Sequence, residues 1–453
     1  MIESVNPATG KPLSTYDLHT AEEVDAALDG AVAAQAQWRE KPLEERVALL
    51  RELAAVLRAG KAEYAALITA EMGKPLAESE AEIEKCALNC VHYADHAAEY
   101  LAERPVLAQA SVVAEPLGVV LAVMPWNYPF WQFFRFAAPA LAAGNGAILK
   151  HATNVPGCAL AIEDVFRKAG TPAGLVRSLL VDVGEVARLI ADDRIAAVTL
   201  TGSTRVGALV ASQAGAALKK QVLELGGSDP FVVLADADVA AAAETAVKAR
   251  FLNTGQSCVN AKRFIVDESV ADEFAEAFTA AVARLRVGDP AEAATTVGPL
   301  ARADLRDGLA DQVRRTVEAG GVVRTGGEVV AGPGYFYAPT VLDHVKPGMA
   351  AFEEETFGPV AAIVRVSGDD EALALANDTE FGLGAAVWTT SPERAQRFAK
   401  GLEAGAVFVN SMVASDPRLP FGGIKKSGYG RELGADGIRE FVNVKTVWIG
   451  GTR

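Results

Sequence analysis

The stretch Val119-Val120-Leu121-Ala122-Val123-Met124-Pro125-Trp126-Asn127-Tyr128-Pro129 begins as an unbroken apolar run and ends in a loop closed by two prolines. Six apolar residues stopped in this way read as a buried strand. Similar runs recur at residues 147–150, 176–180 and 196–200, each parted from the next by a helical pattern. Strands alternating with helices predict an α/β fold with a doubly wound parallel sheet, whose ligands bind outside the carboxyl ends of the strands. Three loops stand at such ends. Residues 125–129 carry the Asn127 amide, which can donate to an oxyanion or cap the next helix. Lys150-His151-Ala152-Thr153 brings a cation and a hydroxyl to the second. In the third, Thr201-Gly202-Ser203-Thr204-Arg205-Val206-Gly207, a strand turns into a helix whose free amides can hold a phosphate, although the spacing is neither GxGxxG nor a Walker loop.

Upstream, amphipathic helices are expected over residues 21–38, 43–72 and 76–101, which read as scaffold, with Cys86 and Cys90 packing on one face. Residues 111–115, bounded by Pro105 and Pro116, read as an extended arm suited to recruiting a neighbouring subunit. Downstream, a strand at 221–225 leads into Glu224-Leu225-Gly226-Gly227, where the carboxylate is either a desolvated base or a turn cap. After Pro230 the strand–helix rhythm restarts, which marks a domain boundary. A helical pattern at 239–251 is broken by Asn253, Thr254 and Gly255, and Cys258 follows beside exposed backbone amides. That thiol is either a nucleophile with oxyanion donors close by or a buried structural cysteine. A nucleophilic role predicts a lowered thiol pKa. Further strands are expected at 231–234, 263–266, 360–366 and 406–410, with an edge strand at 441–449.

Composition narrows the function. Of 453 residues half are hydrophobic, and 58 acidic against 43 basic side chains leave a net charge of −15, which argues against nucleic acid or an anionic membrane as partner. Neither a signal peptide nor an eighteen-residue apolar run is evident, so a cytoplasmic protein is expected. Four scattered cysteines without a CxxC pair make no disulfide framework, and His92 and His96 lack a third ligand, so no metal site is predicted.

These motifs, in this order and over nearly the whole length, resemble the aldehyde dehydrogenase superfamily: residues 6–10, 125–129, 201–207, 224–227, 253–258, 355–359 and 420–423, with Gly430-Arg431-Glu432-Leu433-Gly434. Residues 150–156 and 415–420 are most similar to the shorter bacterial succinate-semialdehyde dehydrogenases that prefer NADP. The resemblance implies two Rossmann-like parallel-sheet domains and a small oligomerisation arm. Residues 1–104 and 118–229 would form the cofactor domain, 230–424 the catalytic domain, and 105–117 with 425–453 the segments that build a homodimer or homotetramer. It implies Cys258 as nucleophile, Glu224 as the base that activates water, and Asn127 as oxyanion donor. Trp126, Lys150, Thr153, Gly202, Ser203, Glu355 and Phe357 would hold the cofactor. Glu commonly stands at the Thr153 position in NAD-preferring members and would repel a 2′-phosphate, so Thr153 with Lys150 favours NADP and leaves NAD as the poorer cofactor. A helix cap is the other reading of Thr153. Arg205, in place of a common Glu, removes a further negative charge.

Substrate recognition by resemblance falls to Arg135, Ser415 and Arg418 on the distal carboxylate of a small aldehyde, with Trp131 and Phe421 lining the apolar middle. A surface salt bridge is the alternative for Arg418. Some relatives carry a second cysteine where this chain has Asn260, so redox gating of Cys258 by that pair is not expected. An enzyme that passes its acyl group to coenzyme A or phosphate would not require Glu224. A general aldehyde dehydrogenase and a catalytically silent protein on the same fold remain the rival readings.

Overall fold

Two parallel sheets organise the fold, seen in a computed structural model that describes residues 1–450. The first has six strands in the order Gly428–Tyr429, Lys220–Glu224, Ile195–Thr201, Val119–Met124, Gly146–His151, Val176–Ser178, and only Gly428–Tyr429 runs antiparallel. Val119–Met124 sits at its centre, between Gly146–His151 and Ile195–Thr201. Strand order reverses there, so the loops after Met124 and Thr201 open a crevice between them.

The second sheet has seven strands in the order Val322–Thr325, Thr340–Asp343, Val360–Val366, Ala261–Asp267, Asp229–Val233, Gly384–Trp388, Ala406–Val409, parallel except for Val322–Thr325. Most of these strands are buried, which is why they read as near-continuous Val, Ile, Phe and Ala runs. A third, antiparallel sheet joins Arg104–Leu107, Ala110–Pro116 and Val442–Trp448. The expected arm and the expected terminal strand therefore pair with each other within one chain.

Helices Ala21–Trp38 and Leu76–Tyr100 form close to where the apolar spacing puts them. The run expected over 43–72 divides at Gly60 into Leu43–Ala59 and Lys61–Met72, at the residue type that favours helix least after proline. The expected oligomerisation segment 425–453 also divides. Gly428–Tyr429 completes the first sheet beside Glu224, and only Val442–Trp448 joins the arm. A two-residue strand carries no periodicity for sequence reading to detect.

Candidate active site

Helix Val239–Phe251 gives way to a turn in which Asn253 and Thr254 both take φ of 56° and Gly255 takes 73°. Two consecutive non-glycine residues in this region are strained, and the surroundings must hold them there. Asn253 Nδ2 donates to the Asn127 carbonyl at 2.8 Å and to the Gln256 carbonyl at 3.0 Å. The Asn253 amide donates to Glu78 at 2.7 Å, and Thr254 Oγ1 accepts from the Gly298 amide at 3.0 Å. Gly255 cannot be replaced, because a Cβ there would lie 2.2 Å from the Gly358 carbonyl oxygen. The turn thus docks Cys258 against the Asn127 loop of the other sheet. Asn127 Nδ2 donates to the Gln256 carbonyl at 3.0 Å, which orients its amide and leaves one N–H to offer.

Cys258 lies in the wall of two cavities. One, of about 440 Å³, is lined by Trp126, Asn127, Gly202, Ser203, Arg205, Glu355 and Phe357 and lies at the crevice of the first sheet. Trp126 and Phe357 meet edge to face at 5.7 Å. Ser203 caps the helix Thr204–Ala216, accepting from the Val206 amide, so the helix N-terminus faces this cleft with Arg205 on its first turn. Glu355 accepts from the Gly227 amide at 3.1 Å and stands 3.4 Å from the Lys262 ammonium. Amides at a helix start, a cation and an aromatic pair suit a dinucleotide with its phosphates. Lys150 is buried on its strand and Thr153 is exposed, and neither is in the wall of this cavity.

The other cavity, of about 200 Å³, is more apolar and is walled by Trp131, Phe421, Arg135, Lys85 and Ser415. Arg135 is buried and ion-paired with Glu432, it donates to Thr201 Oγ1 at 3.3 Å, and its guanidinium stacks 4.7 Å from the Phe421 ring centre. Its charge is therefore largely committed. Arg418 is not brought into this cavity: its side chain is 76% exposed and forks onto Asp416 at 2.6 Å. An acid two residues away captured it, which is the surface salt bridge weighed from sequence. Lys85, on a helix read as scaffold, supplies a cation instead and donates to Ser415 Oγ at 2.6 Å.

Glu224 ends the strand Lys220–Glu224 wholly buried, with neither carboxylate oxygen hydrogen-bonded. Burial pushes its pKa well above the ordinary carboxylate value. Arg135 and Arg431 oppose the rise and Glu432 adds to it. Gly422 makes room for the carboxylate, since a Cβ there would lie 2.7 Å from Oε1. Burial also pushes the Cys258 thiol up to about 12, against the pull of Lys262 and Arg135. That direction is opposite to the lowered thiol pKa that a nucleophilic role predicts from sequence. The Glu224 carboxylate is among the charges that raise the thiol.

Sequence reading missed Lys262, Gln256 and Arg250. Lys262 donates to the carbonyls of Ser257 at 2.9 Å and Cys258 at 2.7 Å. Gln256 accepts from the Ala301 amide at 3.0 Å. Arg250 donates to the carbonyls of Val360 at 2.6 Å and Thr356 at 2.7 Å, and also to that of Gly358. For Lys262 and Arg250 the available signal was a charged residue inside a strand and inside an alanine-rich helix.

Paired doubly wound sheets with one thiol at the junction of two cavities are the architecture of an α/β oxidoreductase. Residues 1–447 match the aldehyde dehydrogenase family, and the chain belongs to that family. It is 53% identical over 451 residues, 99% of each chain, to the probable succinate-semialdehyde dehydrogenase [NADP(+)] of Synechocystis sp.. It is 50% identical over 448 residues, 98% of this chain and 97% of the other, to the Escherichia coli succinate semialdehyde dehydrogenase [NAD(P)+] Sad. Its fold matches that of the succinic semialdehyde dehydrogenase from Streptococcus pyogenes in complex with NADP+, with a TM-score of 0.97, 38% identity and full coverage of both chains.

Proposed function

We propose that the chain oxidises succinate semialdehyde to succinate with NADP as acceptor, NAD serving less well, through a covalent intermediate on Cys258. The observation that carries this reading is the thiol at the meeting point of a dinucleotide-sized cleft and a small apolar cavity containing cations and a hydroxyl. The activities named for the Synechocystis and Escherichia coli relatives support it.

Cys258 Sγ attacks the aldehyde carbon, its proton passing to Glu224, and the carbonyl electron pair moves onto oxygen. The Asn127 amide and the Cys258 backbone N–H hold that oxyanion. When bound, the nicotinamide supplies the two-electron acceptor that makes the cysteine adduct a thioester. Glu224, having released that first proton to solvent, then takes a proton from water, whose oxygen attacks the thioester carbon; the C–S bond breaks, the sulfur recovers a proton from Glu224, and succinate leaves. Trp126, Gly202, Ser203, Glu355 and Phe357 would hold the cofactor, with Lys150 and Thr153 toward its adenosine end, and Arg205 adds positive charge there. Trp131 and Phe421 pack the substrate's methylenes, Arg135 tunes the field at Glu224, and Ser415 reaches the distal carboxylate.

Residues 1–104 and 118–229 form the cofactor domain and 230–424 the catalytic domain in this reading. The exposed Val106, Leu107, Val444 and Trp448 of the third sheet pair copies into a homodimer or homotetramer. Among the described residues no helix is long and apolar enough to cross a membrane. Purified protein should form succinate and NADPH in equal amounts from succinate semialdehyde and should prefer it clearly to butanal. Equal kcat/KM for butanal would make the substrate a general aldehyde. No NADPH from either would leave a silent protein on this fold.

A further inference from the structure

Two cations stand in the wall of the 200 Å³ cavity, Arg135 and Lys85, and they differ in what balances them. Arg135 has Glu432. Lys85 has no carboxylate partner among the described residues: its Nζ donates to the Ser415 hydroxyl at 2.6 Å and lies 4.3 Å from the centre of the Trp131 ring. Glu82, three residues before it on the same helix, is committed to Lys74 and accepts from the amides of Phe130 at 2.9 Å and Trp131 at 3.0 Å. An ammonium carries three donors, and a hydroxyl and a ring face leave it short of an anion. A half-buried ammonium with no anion beside it is poorly balanced, and a substrate carboxylate would supply the missing partner.

We propose that Lys85, acting with the Ser415 hydroxyl, is the residue that binds the distal carboxylate of the substrate and so sets the preference for a semialdehyde. The assignment rests on the semialdehyde reading above. The cavity offers a four-carbon chain an apolar middle at Trp131 and Phe421, the thiol as the reacting group, and Lys85 with Ser415 as the polar anchor. Arg135 reinforces the field without giving up Glu432. The charges that face Lys85 are Arg135 from the neighbouring helix, Lys74 before its own helix, and Glu82 with Cys86 along it. Burial is the main cause that brings the ammonium down to about 8, with Arg135 adding to it. The charged anchor is thus present at neutral pH and fades as pH rises past that value.

The test is the ratio of kcat/KM for succinate semialdehyde to that for butanal, in the wild type, Lys85→Met and Lys85→Arg, at pH 7. Because both aldehydes share the thiol chemistry, the ratio isolates carboxylate recognition. Lys85→Met should lower it by about 10- to 100-fold, chiefly through KM for the semialdehyde, as expected for a lost charge-assisted bond. Lys85→Arg should keep most of it. A wild-type ratio in Lys85→Met would overturn the assignment while leaving the semialdehyde reading intact. A wild type that shows no preference would remove both. If Lys85→Met fails to turn over butanal as well, the pH profile of the wild-type ratio decides. A decline above about pH 8 supports Lys85, and a flat profile to pH 10 rejects it.

Discussion

The two walls that the proposed mechanism joins at Cys258 are built on opposite electrostatic plans. On the Cys258 side, Arg250 and Lys262 are buried cations whose donors point at backbone carbonyls, so the loop is fixed by satisfied hydrogen bonds. On the Glu224 side, the carboxylate has no hydrogen-bond partner and its surroundings are a buried ion pair, Arg135 with Glu432. The first wall holds geometry, and in the proposed mechanism the second moves protons. Satisfied polar groups rigidify, whereas a desolvated carboxylate without partners has its pKa raised.

The largest effect that sharpens this contrast concerns the thiol itself. With Cys258 pushed up to about 12 by burial, its thiolate population at pH 7 lies on the order of 10³-fold below that of a free exposed cysteine. Iodoacetamide should alkylate it that much more slowly, with a rate still climbing at pH 9. A plateau below pH 8 would show that the fixed wall stores a thiolate, and would make proton transfer to Glu224 unnecessary for the first step.

Next comes the base. Glu224→Gln should cut steady turnover by about 10²–10⁴, the usual worth of a positioned base, while keeping a first-turnover burst of NADPH that is slowed less, because water can take the thiol proton in place of Glu224. The sign of the pH dependence follows from the raised carboxyl: it stays protonated further up the pH scale, so the active base is lost as pH falls and regained as pH rises. Wild-type kcat should therefore carry a rising limb that Glu224→Gln lacks. Equal loss of burst and turnover would move the role of Glu224 from hydrolysis to acylation.

Much of this was legible in the chain because it lies in short, local patterns. Val119–Met124 and Val360–Val366 declared themselves as apolar runs, and the Asn253–Cys258 turn as a break after an alanine-rich helix. Glu224 stood out as an acid closing an apolar strand before two glycines. What sequence could not supply were pairings across long separations. Arg135 meets Glu432 nearly three hundred positions away, and Lys85 meets Ser415 across 330. Both pairings depend on how the long helix Leu76–Tyr100 and the helix Trp131–Ala142 pack against the loop after Asn410, which no periodicity encodes. Arg418 failed for the opposite reason: its partner Asp416 is local, and a local partner wins over a distant cavity unless the chain is bent to prevent it.

The smallest effect is the most direct comparison of the walls, because it reads stability and not rate. Arg250→Met removes bonds to four carbonyls, those of Val360, Thr356, Gly358 and Gly255, of which Gly358 keeps the Val360 amide as a donor. Each carbonyl left without a donor costs about 1–3 kcal/mol, so a loss of roughly 3 kcal/mol and a clear fall in Tm are expected. Glu224→Gln breaks no hydrogen bond and replaces a desolvated acid by a neutral amide of the same shape, so its Tm should match or exceed that of the wild type. Paired thermal melts at pH 8 and pH 6 test both. The gap between the variants should narrow as pH falls, because protonation of Glu224, which Arg250→Met retains, removes the buried charge. If Glu224→Gln melts lower than Arg250→Met, the division fails, and the carboxylate belongs to the frame of the site and not to its proton traffic.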